Sequence, residues 1–437
     1  MKVVKFLKEV LVMGIVCLVL YVCFKGLFAI LAKSFGYNNT LLRMFVYSLL
    51  SALFIYGITY KRLWTLNALK TPLRQVGFYT LMLLVIGGTM LFIRLNGESR
   101  AMYHYVMSDT PSRGWRNKVH EVDDTLGYKP VPGVSGFHTF QIGPDIPMRF
   151  DSRGFRVPVQ EDTLTTPARP VDIMYFGCSC SYGDACPAEE TFAYLVSRQT
   201  HLNYANAGVC GYGLSQMYLL VKKMVPRYKP KYVVLQYSPW LIERGTKTYA
   251  PSYLGLVTNP YFAYNNNRLE MKKPVFRSYV MSVDRETLVK EYRGHYLKWY
   301  FGFGLKFAWE QAFADFKSNM HLRFHPEDRP ATDRATVERL AYEDMIKTIT
   351  DNGARAIIWK YGDPGNNKFP RFAGAAYANA DSALDAYMAS PAAPLHTPDL
   401  YKHFRKTGKG NDSMMVDAHP NLLAHTIIAE TIISQIK

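Results

Sequence analysis

Three long apolar runs open the chain, and an alternation of apolar strands and amphipathic helices closes it. The first run, "VLVMGIVCLVLYVCF" (10–24), continues past Lys25 as "GLFAILA"; the second spans 41–60 and the third 76–93. Each approaches the roughly 20 residues that a helix needs to cross a bilayer. Lys25 and Arg43 stand near run ends, where long side chains reach the interface. The pattern therefore predicts a membrane anchor of three transmembrane helices over 1–95. The first run is longer than a signal-peptide core and no A-x-A site follows it, so a retained anchor is expected. Lys2, Lys5 and Lys8 precede the first run, and Lys61, Arg62, Lys70 and Arg74 lie between the second and third. Basic loops stay inside. An integral membrane protein follows, with everything after about residue 95 outside the cytoplasm, as in a bacterial inner membrane with a periplasmic domain.

Residues 96–122 are polar and read as a linker. The next stretch, 123–158, is rich in Gly and Pro with alternating residues, the signature of short strands and turns. From 171 the periods alternate. Strands are predicted at 171–177, 202–208, 231–238 and 354–362, with helices at 189–199, 214–225, 334–353 and 421–436. This order implies a three-layer α/β/α domain over 123–437, with a parallel sheet between helices. Residues 245–330 interrupt it with a Tyr-, Phe-, Lys- and Arg-rich insertion that would wall or lid a site. Ligands of such sheets bind beyond the carboxyl ends of the strands.

Composition changes this picture little. In 437 residues, 49% apolar content permits a large core, and the formal charge of +17 suits an anionic surface or polymer. The basic residues are scattered and no nucleic-acid motif is present, so no nucleic acid is expected as a partner.

Candidate chemistry lies at three strand ends: "GCSCSYG" (177–183), "NAGVCGYG" (206–213) and "DAHPN" (417–421). The first offers two thiols and two hydroxyls as nucleophiles. A hydrolytic serine needs a base, an acid that orients the base, and N–H donors for the oxyanion. The cysteines 178, 180, 186 and 210 lack the paired C-x-x-C spacing of a zinc site, and no metal or cofactor is expected. Cys178 reads as a small buried thiol, and Cys210 as a disulfide candidate with Cys178 or Cys180.

These blocks resemble the SGNH/GDSL hydrolase family, whose first block is Gly-Asp-Ser-x-Thr-x-Gly. Gly177, Ser179, Ser181 and Gly183 match it, with Cys178 in the Asp position, a Gly-Cys-Ser variant. Gly211 fits the second block, and Asp417 with His419 fits the last. The third block should hold an Asn, but "QYSPWL" (236–241) has none. The resemblance covers about 123–437 and implies an SGNH/flavodoxin-like fold. It assigns Ser179 as nucleophile, His419 as base and Asp417 as its orienting acid. The N–H groups of Ser179 and Gly211 become oxyanion donors, and Ser238 a possible substitute for the missing Asn.

The expected function is a membrane-anchored serine esterase or O-acyltransferase acting on acyl esters of an envelope glycan or lipid. Its partners would be that substrate, the lipid bilayer and a membrane acyl donor. The alternative is a non-catalytic envelope-assembly protein that keeps the fold as a binding module.

Overall fold

The computed structural model describes residues 72–107, 119–139, 145–160, 170–252, 255–265, 268–276, 285–362, 369–391, 415–416 and 419–436. The chain divides into two units. One comprises the chain through His104 together with His295–Phe324; the other comprises Tyr105–Gly294 and His325–Lys437.

In the first unit, a helix Pro72–Met107 contains the third apolar run. It does not stop where that run stops, but continues through Arg94, Glu98 and Arg100. Its described part is covered on one side, while Phe92 and Ile93 are exposed. Leu95, Ser99 and Met102 are buried. The Trp299 indole donates to the Ser99 carbonyl at 3.1 Å, and the Tyr296 hydroxyl donates to Asn96 Oδ1 at 2.8 Å. Among the described residues no helix is long and apolar enough to cross a membrane. Among the described residues this contradicts the expected transmembrane helices, and the integral-membrane assignment with its extracytoplasmic domain, which was built on them, is not supported. The physical reason is that an apolar run without periodicity does not distinguish a lipid-facing helix from one packed on protein. Here the helix runs on past the apolar stretch into residues packed on protein, where Asn96 and Ser99 meet Tyr296 and Trp299. The first two runs lie outside the described residues.

The second unit carries the sheet. Its strands are β1 (Ile173–Phe176), β2 (Tyr204–Asn206), β3 (Tyr232–Tyr237), β4 (Arg355–Lys360) and β5 (Ala375–Asn379). They pair in the order β5-β4-β3-β1-β2, all parallel. β1 is buried along its whole length, as a strand covered on both faces should be. Register runs Ile173 to Tyr232 and Tyr232 to Arg355, so β1, β3 and β4 start level.

Helix α1 (Ser179–Tyr182) follows β1 directly, and α2 (Phe192–Thr200) returns the chain to β2. Helix α3 (Leu214–Tyr228) then crosses back past β1 to β3, and α4 (Pro239–Gly245) follows β3. Helix α5 (Arg334–Asp351) leads to β4, and α6 (Ala380–Ala389) and α7 (Leu422–Ile433) come after β5. Right-handed crossovers in opposite directions place α2 and α3 on opposite faces. Consistent with this, α3 packs on α5 while α2 packs on α7. The strand order reverses between β1 and β3, which is the switch point where such sheets bind ligands.

The fifth strand and helix α6 do not stand out in the sequence. "AAYAN" is half-buried at the sheet edge, with three of its five residues alanine, so its apolar signal is weak. The interrupting segment begins with two hairpins, Tyr249–Thr258 and Tyr261–Lys272.

Candidate active site

Strand β1 ends at Phe176. Gly177 follows, Cys178 stays extended, and α1 begins at Ser179. Helix α1 is one turn long. Tyr182 N–H bonds the Cys178 carbonyl at 2.8 Å, and Gly183 and Asp184 N–H both reach the Ser179 carbonyl at 2.9 and 3.1 Å. Ser179 is thus the first residue of a helix that starts beyond the strand's carboxyl end, where first-turn N–H groups have no intrahelical acceptor. It is 6% exposed.

A single side chain from β3 fixes this turn. Gln236, fully buried, accepts from the Cys178 N–H at 3.1 Å and from the Ser181 hydroxyl at 3.0 Å. Its amide nitrogen donates to Ser238 Oγ at 2.8 Å and to Cys178 Sγ at 3.2 Å. Gly177 is required by this closeness, since a Cβ there would lie 2.3 Å from Ser181 Oγ and 2.5 Å from Gln236 Oε1.

Cys178 Sγ also receives the Trp240 indole N–H at 3.3 Å. Burial opposes charge on this thiol, but hydrogen bonds from Cys180 and Trp240 and the charge of Arg244 hold it well below the ordinary thiol range. Cys180 moves the other way, pushed up by its hydrogen bond to Cys178 and by burial. None of Cys178, Cys180, Cys186 and Cys210 is in a disulfide. The expected disulfide is absent because the Cys210 thiol points elsewhere, to Asp184 Oδ2 at 3.3 Å.

The loop after β2 is tied to the same turn. Asn206 Nδ2 donates to the Ser181 carbonyl at 2.8 Å, and its Oδ1 accepts from Gly208 N–H at 3.0 Å. Val209 N–H reaches the Gly177 carbonyl at 3.3 Å. Gly211 has φ +80°, and a Cβ there would stand 2.6 Å from the Tyr128 hydroxyl. That hydroxyl donates to the Cys210 carbonyl, tying the loop to the 123–158 stretch.

Ser238, raised as a replacement for the missing Asn, is fully buried. It donates to the Tyr361 carbonyl at 2.6 Å and accepts from Gln236. Its proton is therefore committed within the protein.

His419 pairs with Val416 in a short antiparallel bridge. The His419–Pro420 strand packs beside α1, so the fold brings the histidine block to the serine turn. Asp417 lies outside the described residues. The carboxylate that the structure places beside His419 is Asp184, whose Oδ2 is 3.8 Å from His419 Nε2. The Asp184 side chain is 1% exposed and that of His419 21%. Sequence reasoning missed Asp184. It sits five residues after Ser179, immediately past the first block, and no motif spacing marks it.

A second histidine, His425, is fully buried on α7. Its Nδ1 accepts from the Phe192 N–H at 3.2 Å. Burial, with help from the charges of Arg156 and His419, pushes it down to about 3, so its ring is neutral.

The arrangement is a hydroxyl at a strand–helix turn, a histidine strand packed beside that turn, and a buried carboxylate next to the histidine. No family model matches the chain, and no curated protein matches it. Among solved structures it is similar to TesA at 12% identity and a TM-score of 0.28, over 61% of this chain and 97% of that one. A likeness that weak assigns nothing by itself. The fold and site define a doubly wound α/β protein with a candidate serine–histidine centre at its switch point.

Proposed function

We propose that this protein is an SGNH-type serine esterase or O-acyltransferase whose nucleophile is Ser179. The observation that carries the reading is the position of Ser179, first in a helix beyond the end of β1, with the His419–Pro420 strand packed beside that helix. In this reading the Ser179 hydroxyl attacks the acyl carbonyl as its proton passes to His419. The tetrahedral oxyanion is held by the N–H groups of Ser179 and Gly211. Its collapse releases the alcohol, which takes the proton back from His419. Water, or the hydroxyl of a glycan or lipid acceptor, then frees the acyl group by the reverse steps. Asp417 holds the histidine tautomer.

A fluorophosphonate probe tests this. Wild-type protein should be labelled, Ser179→Ala should not, and Cys178→Ala should keep most of its label. Labelling that survives Ser179→Ala, or a folded wild type that never labels, refutes the reading.

A further inference from the structure

The strongest unassigned feature is the pair formed by Asp184 and His419. We infer that Asp184 is a positioning residue for His419, a second carboxylate that stabilises the imidazolium formed when the histidine takes a proton. The inference rests on the reading of His419 as the base.

The geometry makes the pairing specific. Asp184 is held to the nucleophile's own turn, because its N–H bonds the Ser179 carbonyl at 3.1 Å. Its side chain then faces the Nε2 edge of His419 at 3.8 Å. In an imidazolium both ring nitrogens carry protons and the charge is spread over the ring, so a carboxylate 3.8 Å from Nε2 stands beside that charge without taking the place of either hydrogen-bond partner. An opposite charge this near favours the charged form of each partner.

The surrounding groups determine whether Asp184 is itself charged. Arg156 lies at the same turn, its guanidinium donating to the carbonyls of Tyr182 and Gly183. The other neighbours of Asp184 are the thiols of Cys180, Cys186 and Cys210 and the phenol of Tyr182, while the ring of His425 neighbours His419. Burial holds Cys186 and Tyr182 protonated, and it keeps His425 neutral. Arg156 is the permanent charge at this turn. The Cys210 thiol donates to the same oxygen that faces His419, which fixes the carboxylate's rotamer.

The test is a proton NMR titration of His419 in the full chain, its resonance assigned by loss in His419→Gln. The wild-type value should lie above the ordinary histidine value of about 6.5. Asp184→Asn should lower it by about one pH unit, and the acid limb of fluorophosphonate labelling should move to lower pH with it. Asp417→Asn should leave His419 above its ordinary value. No shift in Asp184→Asn overturns the inference. So does a return to the ordinary value in Asp417→Asn, which also decides the matter if Asp184→Asn fails to fold. The titration reads the pairing without catalysis, so an unlabelled protein with a shifted His419 would sink the esterase reading and leave this one standing.

Discussion

Replacing Gln236 by Leu should loosen the serine turn more than any change of similar size on the surface. The native amide makes four contacts in a site closed to water, with Cys178 N–H, Ser181 Oγ, Ser238 Oγ and Cys178 Sγ. Leucine fills a similar volume but accepts nothing. The Ser181 hydroxyl can rotate toward another acceptor, whereas the Cys178 N–H is fixed by the extended backbone before α1. A buried donor left without a partner costs about 1–3 kcal/mol. Adding part of that cost for the second group, and crediting leucine with its apolar burial, leaves a net loss of about 2–4 kcal/mol. Urea unfolding followed by the fluorescence of Trp359, buried in β4, should show an earlier transition. Gln199→Leu, at an exposed helix position, should change stability by less than about 0.5 kcal/mol. Fluorophosphonate labelling of Gln236→Leu should also slow at denaturant-free pH 7, because the turn that presents Ser179 has lost its tie to β3. If Gln236→Leu unfolds with Gln199→Leu and labels at the wild-type rate, the turn is held by something else.

Two further outcomes follow from the same geometry. His425 is neutral in the fold, with its value pushed down to about 3, and near 6.5 when unfolded; below 6.5 the unfolded chain binds the extra proton, so stability falls with acid. Between pH 7 and pH 5 this should remove about 2 kcal/mol, and His425→Asn should flatten that slope in paired urea titrations; an unchanged slope would exclude His425 as its source. Gly211→Ala must hold an alanine at φ +80° with its Cβ against the Tyr128 hydroxyl, a strain of about 1–2 kcal/mol. Adding Tyr128→Phe should recover part of that loss in thermal melts, and no recovery would mean the hydroxyl is not the obstacle.

The core strands were legible in sequence because their apolar runs are continuous. "DIMYF", "YVVLQY" and "RAIIWK" carry the signal of strands covered on both faces, and the structure pairs them side by side. "AAYAN" carried no such signal, since a half-buried edge strand has less apolar surface to hide. The serine turn was legible through its glycines, because Gly177 and Gly211 stand where no larger residue fits. The roles of Gln236 and Asp184 were not. Each acts across the fold, Gln236 over 58 residues to Cys178 and Asp184 to a histidine in the last block. The spacing of one chain cannot show such contacts. The apolar run at 76–93 shows the same limit: its signal is local, and it does not tell that the helix continues through Asn96 and Ser99, which meet Tyr296 and Trp299.

A helix of one turn cannot hold itself, because nucleation fixes several residues for one hydrogen bond. The serine turn is therefore held by side chains sent from elsewhere: Gln236 from β3, Asn206 from β2, and Arg156 from the strand before the domain's core. Arg156 is 1% exposed and donates to the carbonyls of Tyr182, Gly183 and Cys186, while its plane lies 4.9 Å from the Tyr182 ring. The first two are carbonyls at the negative end of α1, where a cation belongs. The same charge helps keep one histidine of "HPNLLAH", His425, neutral, while the other, His419, faces Asp184. Of two imidazoles six residues apart, one is sealed against protonation and the other, partly open to solvent, meets a carboxylate. That difference in surroundings, which the sequence spacing does not reveal, separates the ring that the proposed mechanism uses as its base from the ring that it does not use.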